Sequence, residues 1–423
     1  MKINIAIIGL GYVGLPLAVE LGKHFNVIGF DIDELRINEL LKGHDRTKEC
    51  SKKSIKSSKQ LNFSNNENDL KKANLFIVTV PTPITESKLP DTSPLENACK
   101  LIGSIISKKS IVVFESTVYP GMTEEFCVPI IESVSGLKYV RDFGCGYSPE
   151  RINPGDKENT LVNIKKIISA SDVKSLRVIK SIYSKIIKAG IFEAPSIKVA
   201  EAAKVIENVQ RDVNIALVNE LSQIFYKIGI DTNEVINAAA SKWNFIDYRP
   251  GLVGGHCIGV DPYYLTFKAQ QVGYHPKMIL SGRGINEDMP EFAAMLMIRA
   301  MIAKKISISR QSLLILGLTF KENCPDLRNS KVYELVEQLS SFGFSIDIFD
   351  PYHRDEKLQI KNCKVLKDLP KSTKSKYGGI ILAVPHKEII SKGSKYIKSF
   401  GKNPSVFFDM KGFFRKSDSD LRL

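Results

Sequence analysis

Short apolar runs of strand length alternate with helical patterns in the first part of the chain. Residues 3–8 are almost continuously apolar, as expected of a parallel strand buried on both faces. Residues 15–24 follow with helical spacing, and residues 27–31 form a second apolar run. Further runs of the same kind lie at residues 75–80, 111–115 and 144–147. The order strand, turn, helix, strand predicts an α/β domain with a doubly wound parallel sheet of the Rossmann type.

Helical spacing dominates the middle of the chain. From residue 196 to residue 228, apolar side chains recur every three or four positions, which predicts one long helix. Residues 232–305 continue this pattern, interrupted by a loop at residues 250–262. We expect a long central helix and a helical middle domain to join two α/β halves.

The strand pattern returns near residue 312. Apolar runs at residues 312–318, 345–349 and 380–384 predict three strands, with a helix at residues 330–342. We therefore expect a second, smaller Rossmann-like domain. A chain of 423 residues is too long for a single core. The three domains that we predict are residues 1–195, 196–305 and 306–423.

One segment departs from these patterns. Residues 42–66 are rich in lysine, serine and asparagine and contain few apolar side chains. We interpret them as a polar insert or a mobile loop, and they match none of the motifs described below.

Composition narrows the protein class. Hydrophobic residues make up 43% of the chain and charged residues 25%, which is ordinary for a globular protein. No apolar run approaches the ~20 residues that a membrane span requires, and the N-terminus carries no secretion pattern. The 7 cysteines contain no C-x-x-C pair, which argues against a zinc site or a disulfide framework. We expect a cytoplasmic protein that neither binds a metal nor enters a membrane.

The net charge of +14 is the one unusual bulk property. Its lysines are spread along the whole chain, and no basic block interleaved with aromatic residues occurs. A solvated, lysine-rich surface explains this charge better than nucleic-acid binding does. The charge could still help to attract an anionic substrate.

A dinucleotide-binding fingerprint lies between the first predicted strand and helix. Residues 9–14 read Gly-Leu-Gly-Tyr-Val-Gly, which matches the pattern G-x-G-x-x-G. The glycines allow a tight turn and let backbone N–H groups approach a pyrophosphate at the helix N-terminus. The residues assigned to this contact are Gly9, Gly11, Tyr12, Val13 and Gly14.

The second predicted strand ends in a carboxylate at the expected distance. Asp31 follows the fingerprint by about 20 residues, where an acidic side chain binds a ribose hydroxyl. A carboxylate repels a 2′-phosphate, so Asp31 favours NAD over NADP, although the nearby cation Arg36 could offset that preference. The alternative is a Rossmann fold that no longer binds a cofactor.

Cys257 lies in a glycine-rich turn that reads Gly-Gly-His-Cys-Ile-Gly-Val-Asp from residue 254 to residue 261. Backbone N–H groups in such a turn can stabilise a thiolate and make it nucleophilic. The alternative for Cys257 is a buried structural thiol, and His256 is equally a base or a structural histidine. A hydride acceptor together with a thiol that can hold an acyl group suggests oxidation beyond the aldehyde.

Four other polar residues are candidates from their positions. Lys204 and Asn208 are four residues apart and share a face of the long helix. They are either an exposed pair or a cation and a donor for a developing oxyanion. Thr117 and Glu150 follow predicted strands, whose carboxyl ends face the ligand crevice in such sheets. Spacing alone favours ordinary loop residues for both.

Taken together, these motifs resemble the nucleotide-sugar dehydrogenase family, the UDP-glucose/GDP-mannose 6-dehydrogenases, over essentially the whole chain. The motifs are residues 9–14, 80–83, 115–117, 148–150, 204–208, 254–257 with Asp261, and 317–321. Residues 148–156, 204–208, 249–255 and 321–330 look closest to the branch that oxidises UDP-N-acetylglucosamine or UDP-N-acetylgalactosamine for surface polysaccharides.

The resemblance implies a four-electron oxidation with NAD. Cys257 would attack the C6 aldehyde that the first hydride transfer forms, and the thiohemiacetal would be oxidised to a thioester that water hydrolyses. Lys204 and Asn208 would hold the negatively charged oxygen. Asp261 and Thr117 would position or activate water, and Glu150 would assist as a base.

The resemblance also assigns binding residues. Contacts to NAD would come from the fingerprint residues, Asp31, Thr82 and Thr117. Contacts to the UDP-sugar would come from Glu150, Arg151, Lys204, Asn208, Arg249, Gly254, Lys321, Asp326 and Arg328. In this family the arginine at the position of Arg249 usually reaches across a dimer interface, so we expect a homodimer.

Three alternatives stay open at this point. The same chemistry could act on UDP-glucose or UDP-N-acetylmannosamine. A two-electron dehydrogenase of the β-hydroxyacid type has a similar layout but does not need the Gly-Gly-His-Cys turn. A non-catalytic nucleotide-sugar sensor is expected to lack Cys257, Lys204 or Asp261, and the chain has all three.

Overall fold

The computed structural model describes residues 3–85, 87–151, 159–255, 258–309, 311–354, 357–370 and 376–423. The chain forms two compact units. The first unit consists of Met1–Glu207 with Tyr263–His275, and the second of Asn208–Pro262 with Pro276–Leu423.

The first unit contains an eight-stranded sheet with the order β3-β2-β1-β4-β5-β6-β7-β8. Its neighbouring strands run parallel except β6 and β7, which are antiparallel. The strands are β1 (Asn4–Ile8), β2 (Asn26–Phe30), β3 (Leu61–Ser64), β4 (Leu75–Val78), β5 (Ile111–Phe114), β6 (Gly144–Tyr147), β7 (Lys166–Ala170) and β8 (Ile191–Glu193). The helices between them are α1 (Gly14–Leu21), α2 (Glu34–Leu41), α3 (Lys52–Ser57), α4 (Ser93–Ile105), α5 (Val128–Ser135) and α6 (Val173–Ile186).

The central strands of this sheet are apolar throughout because helices cover both faces. Every residue of β4 and β5 is buried. The predicted strands at 3–8, 27–31, 75–80, 111–115 and 144–147 all occur within a few residues of their expected ends. The doubly wound Rossmann-type sheet is therefore confirmed for the first unit.

The interpretation of residues 42–66 as a polar insert or mobile loop was wrong. This segment forms α3 and the edge strand β3, in which Leu61 pairs with Val27 of β2. Its polar residues order the turn before α3, because the buried carboxylate of Asp45 accepts N–H groups from Glu49 and Cys50. Composition hides this order, since an edge strand buries only part of its surface.

The helix α7 (Ile197–Ile228) is 32 residues long. It begins beside Ser196, whose hydroxyl accepts the N–H of Val199, and it contains neither glycine nor proline. It ends before Gly229, whose φ of +75° suits a left-handed helix terminus. The predicted long helix is thus confirmed. Three helices follow it: α8 (Thr232–Ala239), α9 (Asp261–Gln271) and α10 (Lys277–Ala303).

The second unit contains a parallel five-stranded sheet with the order β11-β10-β9-β12-β13. The elements are β9 (Ser312–Leu316), α11 (Val332–Ser341), β10 (Ser345–Phe349), β11 (Cys363–Val365), β12 (Tyr377–Leu382), α12 (Lys387–Ile390), α13 (Ser394–Lys398) and β13 (Gly401–Asp409). Leu313 and Ile315 of β9 pack with α10 and α11, whereas Leu314 and Leu316 pack with α12 and α13. This alternation gives the sheet two apolar faces, which confirms a second Rossmann-like fold.

Within the described ranges, each helix is too short or too polar to cross a membrane. The two compact units do not correspond one to one to the three domains that the sequence predicts. The division into three domains stays a prediction.

Candidate active site

The fingerprint residues form a tight turn between β1 and α1. Gly9 has a φ of +95°, and its N–H donates to the carbonyl of Phe30 at 2.8 Å. A Cβ on Gly14 would lie 1.9 Å from the carbonyl oxygen of Gly9, so this position admits only glycine. A Cβ on Gly11 would meet no described atom within 4 Å. The turn thus leaves open space above Gly11, where a pyrophosphate can approach the backbone.

The carboxylate of Asp31 faces this turn from the end of β2. It accepts the N–H of Leu10 at 2.8 Å and the N–H of Asp33 at 3.0 Å, and it is half-buried. These bonds fix a partly accessible acceptor beside the turn, as ribose binding requires. The residues present therefore fit NAD.

Arg36 does not supply a cation for a 2′-phosphate. Its guanidinium is buried, donates to the carbonyl of Leu10 at 3.0 Å and forms an ion pair with Asp45 at 2.8 Å. Burial alone would raise the pKa of Asp45. Hydrogen bonds from Cys50, Thr47 and Arg36 lower the pKa by more than burial raises it, so it lies below its usual value. Arg36 is therefore neutralised by Asp45, and the preference of Asp31 for NAD stands.

The carboxyl ends of β1, β4, β5 and β6 lie side by side, and each is followed by candidate residues. Thr82 follows β4, Thr117 follows β5 and Glu150 follows β6. The hydroxyl of Ser116 donates to the carbonyl of Val80 at 2.7 Å and ties two of these loops together. The structure thus brings the predicted NAD contacts to one edge of the first sheet.

Glu150 belongs to a buried cluster of charges that the sequence did not reveal. Its carboxylate accepts the N–H of Arg151 and the ammonium of Lys166, each at 2.6 Å. The same ammonium lies 2.9 Å from Glu115, which also accepts the hydroxyl of Tyr183. Burial raises the pKa of Glu115 above its usual value, although Lys166 opposes this shift. The only sequence signal for this cluster is a lone lysine at the start of the apolar strand β7.

Arg151 binds the long helix. Its guanidinium donates to the carbonyls of Ala203 and Lys204, both at 2.9 Å, and forms an ion pair with Glu207 at 2.8 Å. These contacts join the segment after β6 to the turn of α7 that carries Lys204, which is buried. The contact of Arg151 with the UDP-sugar stays a prediction.

Asn208 and Asp261, 53 residues apart in sequence, meet in the second unit. The amide of Asn208 donates to the carboxylate of Asp261 at 2.5 Å, and both side chains are buried. This bond anchors the first residue of α9, and with it the end of the predicted nucleophile turn, to α7. Cys257 and His256 themselves lie outside the described residues.

The predicted nucleotide contacts lie on a loop after β9. Gly254 is close to this loop, because a Cβ there would lie 2.5 Å from the carbonyl oxygen of Asn329. Lys321 is half-buried with its ammonium 5.5 Å from the centre of the Phe320 ring. Arg328 is over half exposed and binds Asp326 through two parallel hydrogen bonds of 3.0 and 2.7 Å.

Arg249 is bound to its own chain in this structure. Its guanidinium forms an ion pair with Asp247 at 2.5 Å and donates to the amide oxygen of Asn237 at 2.8 Å. The contact across a dimer interface therefore stays a prediction. Among the described residues, no three His, Cys, Asp or Glu side chains are arranged to hold a metal ion.

Three family models match consecutive parts of the chain. They are the NAD binding domain (residues 3–187), the central domain (198–288) and the UDP binding domain (314–416) of the UDP-glucose/GDP-mannose dehydrogenase family. The chain belongs to this family. It is an NAD-dependent dehydrogenase of UDP-sugars, and this confirms both the resemblance and the expected cofactor.

The relatives that match the full length of the chain include the following two. The chain is 51% identical over 421 residues to UDP-N-acetyl-D-glucosamine 6-dehydrogenase of Pseudomonas aeruginosa, covering 100% of this chain and 99% of that protein. It is 49% identical over 422 residues to Protein CapL of Staphylococcus aureus, covering 100% and 98%. The solved structure of UDP-D-ManNAc dehydrogenase from Pyrococcus horikoshii aligns with a TM-score of 0.88 at 30% identity, covering 99% and 98%.

Proposed function

We propose that the protein oxidises the C6 hydroxymethyl group of UDP-N-acetylglucosamine or UDP-N-acetylgalactosamine to a carboxylate. The full-length identity of 51% to a UDP-N-acetyl-D-glucosamine 6-dehydrogenase supports this choice. A UDP-N-acetyl-D-mannosamine dehydrogenase of Pyrococcus horikoshii is 34% identical over 83% of the chain, so that sugar is the second candidate. The likeness to CapL supports a role in capsule or other surface polysaccharide synthesis.

The observation that carries the chemical proposal is the Asn208–Asp261 hydrogen bond, because it anchors the turn that follows Cys257 to α7. The cofactor would supply the hydride acceptor, and C6 would give up two hydrides per sugar, one to each of two NAD molecules. The overall balance is one alcohol, one water and two NAD giving one carboxylate, two NADH and three protons. An aldehyde has no hydride to give until a nucleophile adds to its carbonyl, and this is the reason for a thiol.

Cys257 would form the covalent intermediate. Its thiolate bonds to the aldehyde carbon to give a thiohemiacetal, and loss of the second hydride leaves a thioester. Water then attacks the thioester carbon, the carbon–sulfur bond breaks and the thiolate is restored. Lys204 and Asn208 would stabilise the oxyanion on C6 in these steps.

Glu150 would take the proton from the attacking water. Lys166 and the N–H of Arg151 hold its carboxylate in one place, which suits a base that must meet a single water molecule. Asp261 and Thr117 would help to position that water. Lys321, Asp326, Arg328 and Gly254 would bind the UDP part, and Arg249 would reach the partner's nucleotide.

We also propose a homodimer. In the second unit, the segment after α8 exposes Trp243 by 97% and Ile246 by 64%. Exposed apolar side chains of this size are common where another protein subunit packs. Arg249 follows this segment by a few residues, which supports its proposed role at the interface.

Counting NADH for each sugar tests the reaction. The purified protein is incubated with NAD and, in separate reactions, with UDP-N-acetylglucosamine, UDP-N-acetylgalactosamine, UDP-N-acetylmannosamine or UDP-glucose. We expect two NADH per sugar and the fastest oxidation with one of the first two. One NADH per sugar would contradict the thioester route, and preference for the other two sugars would contradict the proposed substrate.

The variant Cys257→Ser tests the nucleophile. We expect it to bind NAD and the UDP-sugar but to form no uronate, because a serine hydroxyl is far less acidic than a thiol. Cys363→Ser is the matched control, since Cys363 is a half-buried thiol of β11 in the second unit, and it should retain full activity. Normal uronate formation by Cys257→Ser would refute the proposed role.

A further inference from the structure

The loop that carries the proposed UDP contacts lacks regular structure of its own. Residues 317–331, all described, contain neither helix nor strand. Lys321 and Arg328 therefore depend on tertiary contacts for their positions. A long loop of this kind loses considerable conformational entropy when it becomes ordered, so something else in the unit must hold it.

One side chain that contacts the middle of this loop is His386, which is fully buried just before α12. Its Nδ1 lies 2.9 Å from the backbone nitrogen of Asn323. Its Nε2 lies 3.0 Å from the carboxylate of Asp350 and 3.0 Å from the hydroxyl of Thr319. Both ring nitrogens are thus engaged, and two of the three partners lie on the loop.

These contacts decide the protonation of the ring. A backbone N–H can only donate, so Nδ1 must be the acceptor for Asn323. A neutral imidazole carries one proton, which therefore resides on Nε2. The hydroxyl of Thr319 donates its own proton to the carbonyl of Lys321 at 2.9 Å, so it can accept from Nε2–H alongside Asp350.

The carboxylate of Asp350 completes the arrangement from the end of β10. It accepts the N–H groups of Leu318 at 2.7 Å and Thr319 at 3.2 Å, at the start of the loop. Burial raises the pKa of Asp350, but the hydrogen bonds from His386 and from the backbone outweigh it, so the pKa is lower than usual. Asp350 therefore stays ionised as the acceptor for Nε2–H.

Asn323 is fixed from a second side as well. Its φ is +58°, and its amide oxygen accepts the N–H of Lys387 at 2.9 Å. The loop and the start of α12 thus exchange two hydrogen bonds, one to the ring of His386 and one from the backbone after it. Asn323 lies between Lys321 and Arg328, so these bonds fix the part of the loop that joins the two.

We propose that His386, as the neutral Nε2–H tautomer, is the positioning residue of loop 317–331 and sets the affinity for the nucleoside diphosphate while leaving NAD binding untouched. This inference rests on the proposed function, in which the loop binds UDP. His386 need not touch the nucleotide, because its effect passes through Asn323 and Thr319.

Two substitutions separate the functions of the two ring nitrogens. In His386→Asn the side-chain oxygen can replace Nδ1 as the acceptor for Asn323. In His386→Gln the amide reaches the place of Nε2, and the acceptor for Asn323 is lost. Loss of an acceptor for a buried N–H should weaken UDP binding by about tenfold or more in His386→Gln, against about threefold in His386→Asn.

The experiment measures the Kd of UDP and, separately, of NAD for each full-length variant by calorimetry, together with its melting temperature. Thr319→Val is a third variant of equal size, which removes the hydroxyl between His386 and Lys321 and should weaken UDP binding by about threefold. The exposed His275 supplies the control His275→Gln, which should change neither Kd. The Kd of NAD should change by less than about twofold in every variant.

The outcomes are distinct. Weaker UDP binding by His386→Gln than by His386→Asn, at constant NAD affinity, supports the positioning role. If both variants melt at lower temperature but bind UDP as the wild type does, His386 only stabilises the unit and the inference is overturned. If the wild type itself does not bind UDP, the proposed function fails and the inference falls with it.

Discussion

The two Rossmann-like folds of this chain use the same turn after their first strand. In each, the strand is followed directly by a glycine with a positive φ, +95° at Gly9 and +91° at Gly317. In each, the glycine N–H donates to the last residue of the neighbouring strand at 2.8 Å, to Phe30 in one unit and to Phe349 in the other. The backbone frame for a nucleotide is therefore present twice.

The carboxylate at the end of the second strand also occurs twice. Asp31 accepts the N–H of Leu10 at 2.8 Å, and Asp350 accepts the N–H of Leu318 at 2.7 Å. Asp31 is half-buried, whereas Asp350 is fully buried and also accepts from His386. The first carboxylate remains accessible to a ribose, and the second is enclosed by its own unit.

The third residue of the turn shows the same contrast. Gly11 in the first unit leaves open space above the backbone, whereas the corresponding residue of the second unit, Thr319, fills its position and contacts His386. The two turns thus share a backbone frame and differ in whether a side chain fills the third position.

The largest effect should come from Asp350→Ala. This change removes the acceptor of several buried N–H groups and of His386, and we expect a loss of about 3 kcal/mol in the free energy of unfolding of the second unit. Urea unfolding followed by tyrosine and tryptophan fluorescence measures it. Asp31→Ala should cost far less, and equal losses for the two variants would contradict the comparison.

Asp31→Ala should instead act on the cofactor. Loss of the proposed hydrogen bonds to a ribose should raise the Kd of NAD by about 30-fold, while the Kd of UDP stays the same. Fluorescence titration with each ligand checks this. An unchanged Kd of NAD would show that Asp31 only holds Leu10 and Asp33.

Gly11→Ala tests the open space in the first turn. The new methyl group meets no described atom within 4 Å, so the melting temperature should not change. A bound pyrophosphate would meet it, and we expect NAD binding to weaken by about tenfold. Gly251→Ala is the matched control in the second unit, since a Cβ there is also unobstructed. Its Kd of NAD should equal that of the wild type.

The smallest effect concerns a buried carboxylate that holds a loop in the first unit, as His386 does in the second. Glu201 accepts the N–H groups of Gly121 and Thr123, and burial raises its pKa to about 7. A raised pKa means that the folded state binds the proton of Glu201 more tightly than the unfolded state does. The stabilisation that this proton gives the folded state is therefore lost as the pH rises through 7.

We expect this residue to lower the stability by about 1 kcal/mol between about pH 6 and pH 8. Chemical unfolding at a series of pH values measures it. In Glu201→Gln this part of the pH dependence should vanish, and a wild-type stability that rises across the same range would contradict the sign.

The sequence predicted the frame of both units because buried parallel strands are short apolar runs and Gly9, Gly11 and Asp31 occupy fixed positions in a local motif. It did not predict β3, since an edge strand in a lysine-rich segment lacks a continuous apolar pattern. Nor did it predict the contacts of Lys166 or His386, because their partners lie far away in the chain. Asn208 and Asp261 could be chosen by resemblance, but their hydrogen bond depends on the fold.

The cluster of Lys166, Glu115 and Glu150 has one consequence for the proposed hydrolysis step. The ammonium of Lys166 lies 2.6 Å from the carboxylate of Glu150 and 2.9 Å from that of Glu115. If Glu150 takes the proton from the attacking water, as proposed, Lys166 keeps Glu115 as its second carboxyl partner.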